Sequence, residues 1–334
     1  MVSLKDIAVA CGVSVASVSK SLNDHSDISE QTKERIRKTA KEMGYLPNSA
    51  AKTLKTRKTQ NIGVLFVDGA MSGLTHDYFA RVLEGFKVAA EAAGYDITFI
   101  NSSKKNQLSY LEHCKYRGFD GVVVACINFE APEVIELMQS DIPIVTVDYV
   151  FNNRMAVLSD NGKGMRDLVS YICDKGHKKI AYIHGADSAV TRTRLITFYQ
   201  VMAERGLSVP DEYVLEAKYR DVDGCYEATN RLLDLEDRPT CIIYPDDFAS
   251  FGGMHAIRER NLSIPEDISI AGYDGIRFGR YLYPKLTTMW QDSRGIGRVA
   301  AEKLIGLIER PKTTLVEHVV VEGKIFEGAT VKEL

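Results

Sequence analysis

From residue 61 onward the chain repeats one alternation, a short and almost unbroken apolar run followed by a stretch with apolar residues at helical spacing. Strands are expected at 61–67, 95–100, 121–125 and 143–147, with helices at 78–93, 108–117 and 132–139 between them. A second set follows Asp160-Asn161-Gly162, with helices at 164–175, 192–205, 224–235 and 248–261 and strands at 179–184, 214–217, 241–245 and 268–272. Runs without apolar–polar alternation belong to strands buried on both faces, which is the environment of a parallel sheet covered by helices. The pattern therefore predicts two doubly wound α/β lobes. The closing segments, strand 287–290, helix 295–308 and strand 317–321, return across them. A cleft between such lobes is lined by residues at the carboxyl ends of strands.

The first sixty residues read differently. Leu4, Ile7 and Ala8 fall on one helical face, Cys11 and Gly12 make a corner, and Ser14 is placed to cap a second helix that buries Val18 and Leu22. A third helix starts after Ser29 and buries Ile36, Ala40 and Met43 before Gly44. This is a helix-turn-helix pattern in a small bundle. Its second helix turns Val15, Ala16 and Lys20 outward, where a recognition helix meets base edges, with Ser14, Ser17 and Ser19 beside phosphates and Asn23 at the helix end. A bundle with a solvated face fits the same spacing. Beyond Tyr45-Leu46-Pro47, Asn48 is placed to cap a run at 49–55 too short to hold a helix alone.

Charge separates the two parts. Residues 1–60 carry eleven Lys/Arg against six Asp/Glu, whereas the whole chain is net −3, so a basic module is tethered to an acidic body. The six cysteines form no Cys-x-x-Cys pair and sit in mostly apolar surroundings, as buried free thiols do. With no signal peptide before Leu4 and no apolar run of membrane length, a cytoplasmic protein is expected.

Val-Ser-Val-Ala-Ser-Val-Ser-Lys at 13–20, Gly-Tyr-Leu-Pro-Asn-Ser-Ala-Ala at 44–51 and Lys-Thr-Gln-Asn-Ile-Gly-Val-Leu at 58–65 together resemble the LacI/GalR bacterial repressors. The resemblance continues through Val-Asp-Tyr at 147–149, Asp160-Asn161, Lys-Gly-His-Lys-Lys-Ile at 175–180, Pro-Glu-Asp-Ile-Ser-Ile-Ala-Gly-Tyr-Asp at 265–274 and Leu-Thr-Thr at 286–288. It implies a helix-turn-helix domain at 1–46, a hinge helix and linker at 47–60, and an effector-binding and dimerisation body at 61–334. The body would divide into lobe one at about 61–159 and 291–321 and lobe two at about 162–289 and 322–334. In the family the hinge helix pushes a leucine into the minor groove; Leu54 holds that place here, with Asn48, Ala51 and Lys55 around it. Lys20 departs from the arginine of many members, which leaves the base it reads open.

The resemblance places effector contacts on Arg194, Asp274 and Asp246 or Asp247, with Tyr219 at an aromatic position. Asp68, His76, Asp77, Phe79 and Asp148 would face them from lobe one, and Trp290 is a further ring. Carboxylates and a guanidinium fork suit vicinal hydroxyls, and aromatic rings suit the apolar face of a sugar. Each has a plainer reading: acids at strand ends often cap helices, Arg194 and Asp274 could pair with each other, and Tyr78-Phe79 could be helix packing.

No nucleophile–histidine constellation or metal spacing accompanies these groups, and no phosphate-loop glycine fingerprint is present, so neither catalysis, a cofactor nor a metal is expected. The expectation is a homodimeric, ligand-responsive transcriptional regulator, a repressor of sugar-utilisation genes that reads a pseudo-palindromic operator. The alternatives are a periplasmic-type sugar-binding protein, a nucleoside-responsive regulator of the same fold and an α/β enzyme with an acidic cleft.

Overall fold

The computed structural model describes residues 2–46, 53, 58–67, 73–100 and 108–334, in two units divided after Thr59. Asn48, Ala51, Leu54, Lys55 and Asp68 lie outside the described residues.

In the N-terminal unit α1 (Leu4–Cys11), α2 (Val15–Leu22) and α3 (Glu30–Glu42) close on Ile7, Ala8, Val18, Ile36 and Ala40. Each helix start satisfies its free N–H groups locally. Ser3 and Asp6 form a reciprocal capping box on α1, and the Ser14 and Ser29 hydroxyls accept from the backbone N–H of Ser17 and Thr32. Gly12, at φ 63°, makes the left-handed corner between α1 and α2, a conformation that a side chain would oppose.

The body contains two six-stranded sheets. In the first, the order is β11 (His318–Val321), β5 (Met155–Ser159), β4 (Ile144–Val147), β3 (Gly121–Ala125), β1 (Asn61–Phe66), β2 (Asp96–Phe99), all parallel. In the second it is β12 (Lys324–Phe326), β10 (Thr287–Trp290), β9 (Ser269–Asp274), β8 (Cys241–Ile243), β6 (Ile180–His184), β7 (Val214–Glu216). Only β12, an edge strand, runs antiparallel. The expected pair of parallel α/β sheets is present, and β5 and β12 are additions to it.

Helices α4 (Asp77–Ala92), α5 (Tyr110–Arg117) and α6 (Pro132–Met138) belong to the first sheet; α7 (Asn161–Asp174), α8 (Ala189–Glu204), α9 (Val222–Leu233) and α10 (Ser250–Glu259) belong to the second. The late helix α11 (Ser293–Glu309) follows β10 of the second sheet yet packs on α4 and the first. Its seat depends on glycine: a Cβ at Gly297 would lie 1.9 Å from the Val82 carbonyl oxygen, and one at Gly85 would lie 2.2 Å from that of Arg294. The chain thus crosses between lobes at 160–161, again at 291–292 and once more after β11, which sets the strand ends of both sheets around one cleft.

Candidate functional site

Helix α8, the ends of β4 and β9 and the β8–α10 loop bring an acidic cluster around one arginine. Arg194, on α8, is 4% exposed. Its Nε donates to Asn161 Oδ1 at 2.8 Å, its Nη1 to the Pro245 carbonyl at 3.3 Å, and its guanidinium carbon lies 3.5 Å from the centre of the Tyr273 ring. Stacking and two hydrogen bonds fix the plane of the fork, and among the described residues nothing accepts from Nη2.

Asp274 ends β9 with its backbone at φ 95°. Gln291 Nε2 donates to its Oδ1 at 2.7 Å, while Oδ2 meets no donor among the described residues. The residue is partly exposed. No ion-pair contact joins it to Arg194, so these two do not simply satisfy each other. Burial pushes the Asp274 carboxyl up to about 7; Arg194 pulls against this shift, and Asp246 and Asp148 add to it.

Asp148 follows β4, also in a left-handed backbone at φ 57°. Both oxygens are engaged, Oδ2 by the Tyr78 hydroxyl at 2.6 Å and Oδ1 by the Ser159 N–H at 2.9 Å. Burial raises its pKa despite those donors. Positive φ at aspartates that end strands on both sides of the cleft, and at Arg220 (φ 60°), marks a place where the backbone is bent to aim side chains.

The other acidic candidates are committed to the scaffold. Asp247 has both carboxylate oxygens engaged. It is wholly buried, Thr288 Oγ1 donates to Oδ1 at 2.6 Å, the Ile276 N–H donates to Oδ2 at 2.7 Å, and Gly272 makes room for it. Asp246 accepts from the Arg220 and Ala249 N–H groups, each at 2.7 Å, and so pins the loop before α10. Asp77 pairs with Arg220 of the other lobe at 3.0 Å.

Of the rings, Tyr219 lies near Arg194 with its hydroxyl 2.8 Å from Thr191 Oγ1. Phe79 sits edge-on to His76, Tyr78 and Phe66 in one aromatic cluster at the start of α4. Trp290 pairs in register with Asp274, packs over Gly275 and lies beneath the Lys324 ammonium at 5.4 Å.

Four participants carried no signal of their own in the sequence. Tyr273 supplies the face under Arg194, Arg220 closes the cleft onto Asp77 while stacking on Phe248 at 4.1 Å, and Ser159 and Gln291 hydrogen-bond across the crossover. Arg81 adds a second link between lobes, Nη1 to the Gly275 carbonyl at 3.5 Å. The Ser159–Gln291 pair completes a connected line from Tyr78 through Asp148 to Asp274.

In the N-terminal unit, α2 exposes Ser14, Val15, Ala16, Lys20 and Asn23 and half-buries Ser17 and Ser19. The Asn23 amide folds back on the Ser19 carbonyl at 2.7 Å, and Lys20 pairs with Asp27.

Residues 3–48 match the model of the bacterial regulatory proteins of the LacI family, and residues 169–331 match the periplasmic binding protein-like domain. The transcriptional repressor PurR of Vibrio campbellii (strain ATCC BAA-1116) is 30% identical, over 98% of this chain and 96% of its own. The chain belongs to the LacI family. It is a DNA-binding transcriptional repressor, not an enzyme. In fold, this LacI-family chain is similar to the Lac repressor dimer bound to operator and the anti-inducer ONPF, with a TM-score of 0.82 at 22% identity and 99% of each chain covered. It is also similar to the transcriptional regulator CelR in its cellobiose complex, with a TM-score of 0.74 at 21% identity, covering 99% of this chain and all of that one.

Proposed function

We propose that this repressor binds a small sugar in the cleft between its lobes and reads operator DNA with α2. The observation that carries the ligand reading is the pair of groups that no described residue engages, Arg194 Nη2 and Asp274 Oδ2, on a buried arginine and a partly exposed aspartate that make no ion-pair contact with each other. Neither atom is sealed away from solvent, so both are open to a ligand, and adjacent hydroxyls of one sugar offer one lone pair and one proton to match them. Tyr219 provides an apolar face alongside. Cellobiose in the CelR complex agrees with a ligand of this class.

On the DNA side, Val15, Ala16 and Lys20 are the base-facing groups, Ser14, Ser17 and Ser19 the phosphate-facing ones, with Asn23 at the helix end. The ligand would act by favouring one arrangement of the lobes, in a homodimer that places two α2 helices on a pseudo-palindromic site.

A nucleoside is the second reading. It draws on the Tyr78, Phe79 and His76 rings beside the Asp148 carboxylate, which would suit a flat base.

Thermal-shift and calorimetric screening of the whole chain against sugars and nucleosides tests both. A sugar that stabilises the parent and loses about thirtyfold or more in affinity with Arg194→Ala, the variant remaining folded, is the expected result. Unchanged affinity in that variant would remove Arg194 from the site.

A further inference from the structure

Resting on that reading of the cleft, we infer that its ligand is neutral and presents hydroxyl protons, and that Asp274 rejects the carboxylate or phosphate counterpart of the same sugar. Two acidic side chains, Asp148 and Asp246, act on Asp274 at this place, and the cation that acts on it is Arg194. Two further guanidinium groups lie nearby among the described residues, and one of them is neutralised by an ion pair. Arg220 is paired with Asp77 and stacked on Phe248, and Arg81 donates to the Gly275 carbonyl.

An anionic ligand drawn to Arg194 Nη2 would bring its charge against Asp274 Oδ2, an oxygen that no protein donor covers among the described residues. The like charge would be felt more than in open water, since the residue is mostly, though not wholly, withdrawn from solvent. A hydroxyl in the same place donates its proton to that oxygen, so one atom rewards the neutral sugar and penalises the acid. Specificity of this kind depends on the repulsive element as much as on the attractive one. The shift of the Asp274 carboxyl to about 7 is the same crowding of acids expressed on the protein's own proton.

The experiment is calorimetry on the full chain at pH 8 with matched pairs: D-glucose with D-glucuronate and glucose 6-phosphate, D-galactose with D-galacturonate, D-ribose with ribose 5-phosphate, and cellobiose with cellobionate. At least one neutral member should bind, with its acid at least tenfold weaker. Asp274→Asn, which keeps the shape of the side chain, should narrow that ratio at least fivefold; Asp148→Asn supplies an independent neutralisation should the first variant not fold. An acid that binds as well as its neutral partner overturns this inference alone and leaves a sugar site standing. A series without any binder overturns the sugar reading and this inference with it.

Discussion

At the residue scale, the cleft is decided by which polar atoms are already taken. Asp274 has an oxygen to offer a ligand, and its burial sets a pH dependence that can be measured. In the unfolded chain an aspartate releases its proton near 3.8; in the folded protein Asp274 holds it to about 7. Between those values the folded state binds more protons, so the contribution of this group to stability falls as pH rises through the window and stays at its lowest above it. Asp274→Asn should therefore raise the stability of the ligand-free protein above pH 7, on the order of 1 to 4 kcal/mol, and should converge with the parent near pH 4. Urea unfolding at a series of pH values checks this, and parallel curves for parent and variant would contradict it. Asp247, whose carboxyl burial also pushes up, differs in having both oxygens taken by the scaffold. Removing its carboxylate in Asp247→Ala strands the Thr288 hydroxyl and the Ile276 N–H and should cost roughly 2 to 5 kcal/mol, read as a lower urea midpoint with an unchanged slope. The sequence placed Asp246, Asp247 and Asp274 all at strand ends but could not show which of their oxygens are taken, because that lies in partners up to 41 residues distant, such as Thr288. Tyr273 and Gln291 were invisible for the same reason.

At the element scale, the apolar runs located most strands, and the capping serines located the starts of α2 and α3. Helix starts after an aspartate were read a turn or so late: α7 begins at Asn161 because Asp160 accepts from the Lys163 N–H at 2.9 Å, ahead of the first apolar residue that spacing can detect. β5 was missed because Met-Ala-Val-Leu-Ser is a single short run between loops, and β12 because its three residues lie on an edge. Gly295-Ile296-Gly297 stands at the start of the helix expected at 295–308. In the fold, Gly297 is where α11 touches α4, with backbone rather than a movable side chain in the way. Gly297→Ala would gain about 1 kcal/mol of helix propensity but force two helices apart, so a net loss of about 1 to 3 kcal/mol is expected in denaturant unfolding. A neutral or stabilising result would mean that the two helices separate more easily than their contact implies.

At the scale of the whole molecule, the two-lobed body and the basic helical unit were legible because parallel strands and a charge split both leave composition signals. The contacts holding the lobes together were not legible, since they join residues far apart in the chain. The most polar of these is Arg220 to Asp77, with side chains only 11% and 26% exposed. Arg220 is fixed independently of Asp77, by the Phe248 ring and by its own N–H on Asp246, so it is a preset post onto which the first lobe closes. Asp77→Asn keeps the shape and removes the charge. A partly desolvated pair of this kind contributes about 1 kcal/mol, which corresponds to roughly a fivefold shift in the balance between closed and open lobes. The ligand-free variant should show a wider distribution of distances between spin labels placed on exposed sites of the two lobes. The exchanged pair Asp77→Arg with Arg220→Asp should restore part of the closed population, although it forfeits the Phe248 stack. If Asp77→Asn leaves the distance distribution of the parent unchanged, the lobes are held by the Ser159–Gln291 hydrogen bond and the Arg81 contact instead, and Arg220 serves the loop around Asp246 rather than closure.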